Sequence, residues 1–238
     1  MRLAGGTALV TGANGGIGSA YVTRLLERGA ERVYACDVAL DRVAAEGRVV
    51  PVELDVTDTV GIAKLAAQVE RLDLLVNCAG ILTMTGPLDG DLELVEQELQ
   101  VHYLGALRMI RAFLPKLEES GGAIVNMLSV AALSSMPSIG AYSSAKAAAH
   151  SMTQGLRAQL SSRGVSVHGV FPGPVDTPMT KDLPEIDGPK ASPLDVADAV
   201  LDGVEAGEED IFPDRMGRDV GAIWRTDPKE VERRFREV

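Results

Sequence analysis

The sequence predicts an α/β fold, a doubly wound parallel sheet of about seven strands with helices on both faces. Three observations carry this prediction. Short apolar runs alternate along the chain with longer segments of helical periodicity. Most of the runs are continuously apolar, which is typical of strands buried on both faces of a parallel sheet. The 238 residues suffice for a substantial core, so we expect a single domain over 1–238.

The apolar runs predict the strands, the last of them more weakly than the others. They are residues 7–10, 33–36, 49–54, 72–78, 123–128, 165–171 and 210–212. The segments between them predict helices over residues 17–28, 60–71, 88–118, 141–163 and 193–205. The last helix has a clear start signal, because Ser192 suits the N-cap and Pro193 the first helical position.

Two segments lie outside this alternation. Residues 172–192 are rich in Pro, Gly, Asp and Thr, and unstructured connections of this length are uncommon unless they are functional. We therefore expect a substrate loop there. Residues 228–238 form a charged C-terminal tail whose pattern is compatible with a helix.

Composition excludes several classes of function. A formal net charge of -11 argues against a nucleic-acid partner, which would require clustered Lys and Arg. No apolar stretch reaches the length of a membrane span, and the first residues lack the pattern of a signal peptide. Two cysteines favour a reducing compartment, so we expect a cytoplasmic protein. We interpret Cys36 and Cys78 as buried strand-end residues, and we expect no metal site.

The first strand leads into a glycine-rich turn. Residues 11–18 read TGANGGIG and open the first predicted helix. Glycines let the backbone approach a pyrophosphate closely, and a helix N-terminus offers free N–H groups to its phosphates. A strand before and a helix after make this a dinucleotide site rather than a simple turn. The expected contacts are Gly12, Asn14, Gly16, Ile17 and Gly18.

The second strand ends at an acidic residue, Asp37, 19 residues after Gly18. An acidic residue at about this distance is expected to bind the adenosine ribose hydroxyls. An ordinary solvated aspartate is the alternative interpretation. A carboxylate there would repel the 2′-phosphate of NADP, so the predicted cofactor is NAD.

Five motifs in this order resemble the short-chain dehydrogenase/reductase family over roughly residues 5–215. They are the glycine-rich turn, Asp55 after the third strand, Asn77-Cys78-Ala79-Gly80, Ser129 with Tyr142-x-x-x-Lys146, and Pro172-Gly173 with Thr177. The resemblance implies a Rossmann fold and an oxidoreductase. It also implies cofactor contacts from a further set of residues, namely Asp55, Val56, Asn77, Ala79, Gly80, Pro172, Gly173, Val175 and Thr177. Asn77 has an alternative interpretation as a residue that stabilises the sheet.

The resemblance implies roles for three catalytic residues. Tyr142 and Lys146 are four apart on a predicted helix and so share one face. Tyr142 is expected to be the general acid and base. Lys146 is expected to bring the pKa of Tyr142 down from near 10 and to bind the nicotinamide ribose. Ser129 is expected to donate a hydrogen bond to the developing oxyanion.

His102 is a departure from the family. The catalytic Asn of these proteins usually lies in a Val-Asn-x-x-Gly pattern, which here reads Val101-His102-x-x-Gly105. That position is thought to anchor a water that connects the catalytic Lys to solvent. We keep His102 among the catalytic candidates, acting either through its backbone or as an imidazole relay with a dependence near pH 6–7.

The expected substrate is a hydrophobic ketone or secondary alcohol. The segments after Ser129 and Gly173 offer mostly apolar side chains to a pocket and no Arg. Those side chains belong to Ala131, Leu133, Met136, Pro174, Met179 and Leu183. A non-catalytic NAD-binding sensor or scaffold is the alternative function, disfavoured by the intact Ser129, Tyr142 and Lys146. A sugar-nucleotide epimerase is disfavoured because only 67 residues follow Phe171.

The helix that carries Tyr142 has a second face of small and apolar residues, made of Ala145, Ala148, Ala149, Met152 and Leu156. One interpretation is core packing. The other, implied by the resemblance, is a subunit interface formed with the helix over residues 88–118. We expect a homotetramer, with a dimer as the alternative.

Overall fold

The computed structural model describes residues 3–43, 47–88, 90–183 and 188–236. Its strands are β1 (Thr7–Thr11), β2 (Arg32–Asp37), β3 (Val49–Glu53), β4 (Leu74–Asn77), β5 (Ala123–Met127), β6 (Ser166–Val170) and β7 (Asp210–Ile211). They form one parallel sheet in the order β3-β2-β1-β4-β5-β6-β7. The predicted doubly wound Rossmann fold of seven strands is confirmed.

Helices cover both faces of this sheet. They are α1 (Gly16–Glu27), α2 (Thr59–Gln68), α3 (Leu92–Leu99), α4 (Ala106–Ser120), α5 (Gly140–Leu160), α6 (Pro193–Ala206), α7 (Arg215–Trp224) and α8 (Pro228–Phe235). Successive strand side chains point to opposite faces. Val10 therefore packs in the core beneath α1 and α6, and its neighbour Leu9 packs in the core beneath α2, α4 and α5.

The order of the strands positions a crevice. After β1 the chain builds outward through β2 and β3, and then returns to add β4 on the other side of β1. Helices that leave β1 and β4 therefore diverge to opposite faces of the sheet. In open α/β sheets ligands bind outside the carboxyl ends of the strands at such a point.

The long helix expected over residues 88–118 differs in the structure. It begins at Leu92, because the side chain of Asp91 accepts a hydrogen bond from the Glu93 N–H at 2.9 Å and caps the helix. Leu88 lies before it and is exposed. A π-helical segment, Gln100–Gly105, then separates α3 from α4. Such widened turns occur frequently at functional sites, and this one contains His102.

The C-terminal region contains a helix, α7, that the sequence interpretation missed. Asp214 caps it by accepting a hydrogen bond from the Gly217 N–H at 2.8 Å. The charged tail forms α8, whose Val231 and Phe235 are buried. They pack with Val130 and Met136, so the end of the chain covers the segment that follows Ser129.

The second face of α5 belongs largely to the core of the chain itself. Ala145 and Ala149 are buried, and Met152 and Leu156 pack against the core beneath α2 and α4. The core-packing interpretation therefore holds for these residues. Across the described part of the chain, no helix combines the length and the apolar character that a bilayer span requires.

Candidate active site

A cleft of about 800 Å³ runs along the carboxyl ends of the strands. It brings together eighteen of the nineteen residues that the sequence assigned to catalysis or cofactor binding. They are Gly12, Asn14, Gly16, Ile17, Gly18, Asp37, Asp55, Val56, Ala79, Gly80, His102, Ser129, Tyr142, Lys146, Pro172, Gly173, Val175 and Thr177. Asn77 is the exception.

The glycine-rich turn is packed too tightly for side chains. Gly12 adopts a φ of +71°, and a Cβ there would lie 2.8 Å from the Cys78 carbonyl oxygen. A Cβ on Gly18 would collide with the Gly12 carbonyl oxygen. The N-terminus of α1 has no side-chain cap and no acidic residue in its first turn. No side chain of the helix therefore competes for its free N–H groups, which face the cleft. This arrangement fits a cofactor phosphate.

Asp37 lies at the end of β2 beside this turn. Its Oδ2 accepts a hydrogen bond from the Asn14 backbone N–H at 2.9 Å. The Asn14 side chain is engaged elsewhere, because it donates to Asp41 Oδ1 and accepts from the Arg42 N–H, each at 2.9 Å. The side chain and the backbone N–H of Asn14 are thus both engaged within the protein. The exposed Arg42 lies in a turn and lines the same cleft.

Asp55 and Asn77 have different roles in the structure. Asp55 stabilises the turn after β3, since its Oδ1 accepts from the Thr57 N–H at 2.7 Å and from Thr57 Oγ1 at 2.8 Å. Asn77 is buried and donates to Asn126 Oδ1 at 2.9 Å, and Asn126 donates in turn to Thr153 Oγ1 at 3.0 Å. This chain ties β4, β5 and α5 together. These hydrogen bonds are the ones that the sheet-stabilising interpretation of Asn77 predicts.

Ser129, Tyr142 and Lys146 converge at one end of the cleft. Ser129 follows β5; its Oγ accepts from the Ala131 N–H at 3.1 Å and donates to the Pro172 carbonyl oxygen at 3.4 Å. The Ser129 hydroxyl also lies close enough to Tyr142 to influence the pKa of the phenol. Lys146 Nζ lies 5.4 Å from the centre of the Tyr142 ring. It donates to the Met127 carbonyl oxygen at 2.5 Å. A serine, a phenol and a buried ammonium thus adjoin one another.

The electrostatics of these groups differ from the expectation. Burial raises the pKa of Tyr142 above its usual value, and the hydrogen bond with Ser129 opposes this only in part. The Lys146 ammonium donates to a backbone carbonyl and does not offset the burial of the phenol. The expected lowering of the pKa of Tyr142 is therefore wrong for this geometry. Burial also lowers the pKa of Lys146 to about 8, against the opposing charges of Cys78 and Glu98.

His102 is buried in the π-helical segment and faces Tyr142. Their rings meet edge to face at 5.1 Å between centroids. Burial lowers the pKa of His102, the nearby Lys146 lowers it further, and Glu98 opposes both. The pKa of the imidazole is therefore shifted downward from its ordinary value, on which the dependence expected from the sequence rested.

Two site residues escaped the sequence interpretation. Glu98 is fully buried beside His102. The sequence signal that could have found it is its position four residues before His102, on the same face of a predicted helix. Asp214 accepts a hydrogen bond from the Gly173 N–H at 2.9 Å while it caps α7. It thereby fixes the Pro172-Gly173 turn, but the sequence shows no link between these distant segments.

The apolar residues expected to face the substrate are mostly elsewhere. Ala131 and Met136 are buried, and Leu133 packs with the cluster of Met136 and Phe235. Neither Pro174 nor Leu183 lines the cleft, whereas Met179 does. Ile81, Gln97 and Gln100 also line it.

The two cysteines lie in different environments. Both cysteines are free. Cys36 is buried in β2 as expected, whereas Cys78 is only half-buried and lines the cleft. Among the residues that the structure describes, no group of three or more His, Cys, Asp or Glu is arranged to hold a metal ion.

Comparison with known proteins supports what the fold and cleft indicate. Residues 6–187 match the family model described as short chain dehydrogenase. An uncharacterized oxidoreductase of Staphylococcus saprophyticus is 33% identical over 207 residues, which cover 82% of this chain and 88% of that protein. One from Staphylococcus aureus strain MRSA252 is 35% identical over 204 residues with the same coverage.

Two solved structures are also similar. A short chain dehydrogenase from Burkholderia cenocepacia in complex with NADP is 38% identical, with a TM-score of 0.93 over 99% of both chains. A short chain dehydrogenase/reductase from Burkholderia phymatum in complex with NAD is 23% identical, with a TM-score of 0.84 over 98% of this chain and 96% of that one. The latter likeness concerns the fold alone.

The sheet, the glycine-rich turn and the cleft define a dinucleotide-binding α/β protein. The chain belongs to the short-chain dehydrogenase/reductase family. It is an oxidoreductase of that family, and nicotinamide cofactors are bound in related structures.

Proposed function

We propose that this protein interconverts a hydrophobic secondary alcohol and its ketone by NAD-dependent hydride transfer. One observation carries the proposal. Ser129, Tyr142 and Lys146 adjoin one another in the same cleft that receives the uncapped N-terminus of α1. An anion site for the cofactor and an acid–base group for the substrate oxygen thus share one cavity.

Each polar side chain then has a defined task. Tyr142 gives a proton to the carbonyl oxygen in reduction and takes it from the hydroxyl in oxidation. Ser129 donates a hydrogen bond to the same oxygen as negative charge develops there. Lys146 holds a positive charge beside the phenol and binds the nicotinamide ribose. The nicotinamide supplies or accepts the hydride, and the protein supplies placement and polarity.

The charge at Asp37 supports NAD over NADP. Its carboxylate lines the cleft next to the glycine-rich turn, where it can accept hydrogen bonds from both ribose hydroxyls. A 2′-phosphate there would bring like charges together. The exposed Arg42 is the competing feature, because its guanidinium could pair with that phosphate, and the similar Burkholderia cenocepacia protein holds NADP.

The lining of the cleft supports an uncharged substrate. Among its described residues, Arg42 and Lys146 carry the positive charges. Arg42 lies at the Asp37 end and Lys146 beside Tyr142. No guanidinium is therefore available near Tyr142 to bind a substrate carboxylate or phosphate. Ile81 and Met179 offer apolar surface instead.

A non-catalytic NAD-binding sensor or scaffold is the second candidate. Its specific support is the raised pKa of Tyr142 together with His102 in place of the family's Asn. The oxidoreductase would turn over a substrate and the sensor would not, whereas both would bind the cofactor.

The test is a panel of secondary alcohols with NAD, followed by the absorbance of NADH. We expect turnover that favours hydrophobic members and is lost in Tyr142→Phe, which still binds NADH. Tyr103→Phe is the matched control, because Tyr103 lies outside the cleft. NADH binding without turnover on any member would favour the sensor, and preference for an anionic substrate would contradict the proposed substrate class.

We also propose a homotetramer in the cytoplasm, with a dimer as the alternative. The family resemblance supports the assembly, and the exposed small residues Ser144, Ala147 and Ser151 on α5 leave room for a close helix contact. The free thiols of Cys36 and Cys78 support a reducing compartment. Sedimentation equilibrium decides the assembly, because a monomer at micromolar concentration would contradict it.

A further inference from the structure

Glu98 is the most deeply buried carboxylate beside the catalytic group. Its Oε1 accepts hydrogen bonds from the Thr83 N–H at 2.8 Å and from Thr83 Oγ1 at 3.0 Å. Its Oε2 lies 3.0 Å from His102 Nε2. Glutamate is almost never fully buried unless it is paired. The burial of Glu98 against His102 therefore calls for a reason beyond packing.

The contacts of His102 favour one tautomer of its ring. Nε2 lies 2.8 Å from the Ile81 carbonyl oxygen, which can only accept, and 3.0 Å from Glu98 Oε2. The second contact is an ion-pair contact, because Glu98 Oε2 has no hydrogen-bond partner among the described residues. The Ile81 N–H also lies 3.3 Å from Nε2. The shorter contact with the Ile81 carbonyl oxygen requires a proton on Nε2, and the adjacent Glu98 carboxylate favours a proton there electrostatically. In the neutral ring Nδ1 is then a bare acceptor.

Nδ1 is buried and has no hydrogen-bond partner among the described residues, and the same is true of Asn77 Oδ1. His102, Asn77 and Lys146 line a common cavity of about 10 Å³, which is roughly the space that one water needs. The Lys146 ammonium has three protons, and the Met127 carbonyl oxygen takes one. The residues that line this water-sized space thus include two with an unpaired acceptor and one with donors to spare.

We propose that Glu98 is a positioning residue that holds the His102 ring with Nε2 protonated, so that Nδ1 serves as a hydrogen-bond acceptor on the Lys146 side. In this way the Glu98–His102 pair lets an imidazole anchor the water that the family's Asn is thought to anchor at this position. This inference rests on the proposed function of Tyr142 and Lys146. The charged and titratable groups around the ring are Glu98 on α3 and Tyr142 and Lys146 on α5. Cys78, after β4, acts on Lys146.

The first measurement is independent of turnover. The protein contains three histidines, and His102→Asn assigns the ring signals of His102 in a ¹⁵N NMR spectrum. We expect a neutral ring at pH 7 with a proton on Nε2 and none on Nδ1. A proton on Nδ1, or a charged ring, would overturn the inference even if the enzyme is active. The correct tautomer in a protein without turnover would instead leave the inference standing and contradict the proposed function.

The second measurement asks whether Glu98 acts through His102. Glu98→Gln removes the charge at nearly constant volume, and we expect roughly a ten-fold loss of kcat, the size seen for groups that orient functional histidines. In the His102→Asn background the same change should alter kcat less than about two-fold. Equal losses in both backgrounds would mean a structural role and would overturn the inference.

The pH profile gives the last readout. The charge of Glu98 favours the Lys146 ammonium, so its removal should move the alkaline limb of kcat to lower pH by about one unit. Glu96→Gln is the matched control, because it removes the same charge from an exposed position on α3. An unmoved limb would contradict the inference. The wild-type NMR spectrum still decides the tautomer if Glu98→Gln does not fold.

Discussion

Lys146→Met should make the cofactor-free protein more stable while it removes activity. The ammonium is buried, and its pKa falls from 10.5 to about 8 on folding. Each pKa unit corresponds to about 1.4 kcal/mol. Burying the charged form therefore lowers the free energy of unfolding by about 3 kcal/mol at neutral pH, before the lost hydrogen bond to Met127 is considered. Methionine nearly fills the same volume and carries no charge.

The sign of the pH dependence makes this prediction specific. Below pH 8 both the folded and the unfolded states carry the proton, so the full penalty is present. Between pH 8 and 10.5 the unfolded state binds the proton and the folded state does not. The free energy of unfolding of the wild type then rises with pH relative to the variant. Above pH 10.5 the penalty is absent.

The assay is urea unfolding of both proteins from pH 7 to pH 10.5, read by circular dichroism. The free energy of unfolding of Lys146→Met should exceed that of the wild type at pH 7, and this difference should shrink by about 3 kcal/mol over the upper part of the range. Lys64→Met removes an exposed ammonium on α2 and should show no such convergence. A stability difference that stays constant with pH would refute the reasoning.

Three further predictions concern the cleft. Ser129→Ala should lower kcat by about 100- to 1,000-fold with little change in cofactor affinity; a loss under about three-fold in steady-state assays would remove Ser129 from the oxyanion site. The unmodified protein should prefer NAD by roughly ten-fold or more in kcat/KM, and Asp37→Ala with Val38→Arg should narrow or reverse that preference. Equal efficiency of the unmodified protein with both cofactors would contradict the role of Asp37. Asp214→Ala should lower the free energy of unfolding by about 2 kcal/mol, because it removes a helix cap and leaves a loop N–H unpaired; urea unfolding should show no comparable loss for Asp219→Ala.

The sequence predicted the layout of the cofactor region well, because the relevant constraints are local. The turn over residues 11–18 joins a strand to a helix, and only glycine fits where Gly12 and Gly18 approach other backbone. Asp37 ends the next strand, and parallel strands bring their carboxyl ends to one edge of the sheet. Tyr142 and Lys146 share a face because they are four apart on α5.

The sequence could not predict properties that depend on contacts between distant segments. Met136 packs with Phe235 from the other end of the chain, so its apolar side chain is buried and does not line the cleft. Asp214 reaches Gly173 only because α7 begins beside that loop. No local sequence pattern indicates either of these two contacts.

The same limit applies to the chemistry of the catalytic group. The sequence alone determined which residue types stand at the proposed catalytic positions, because type and spacing are properties of the sequence. Only the tertiary structure decided that burial raises the pKa of Tyr142 and lowers that of Lys146. It also decided that Glu98 faces His102 away from water. A pKa depends on which atoms replace water around a group, and those atoms come from elements far apart in the sequence.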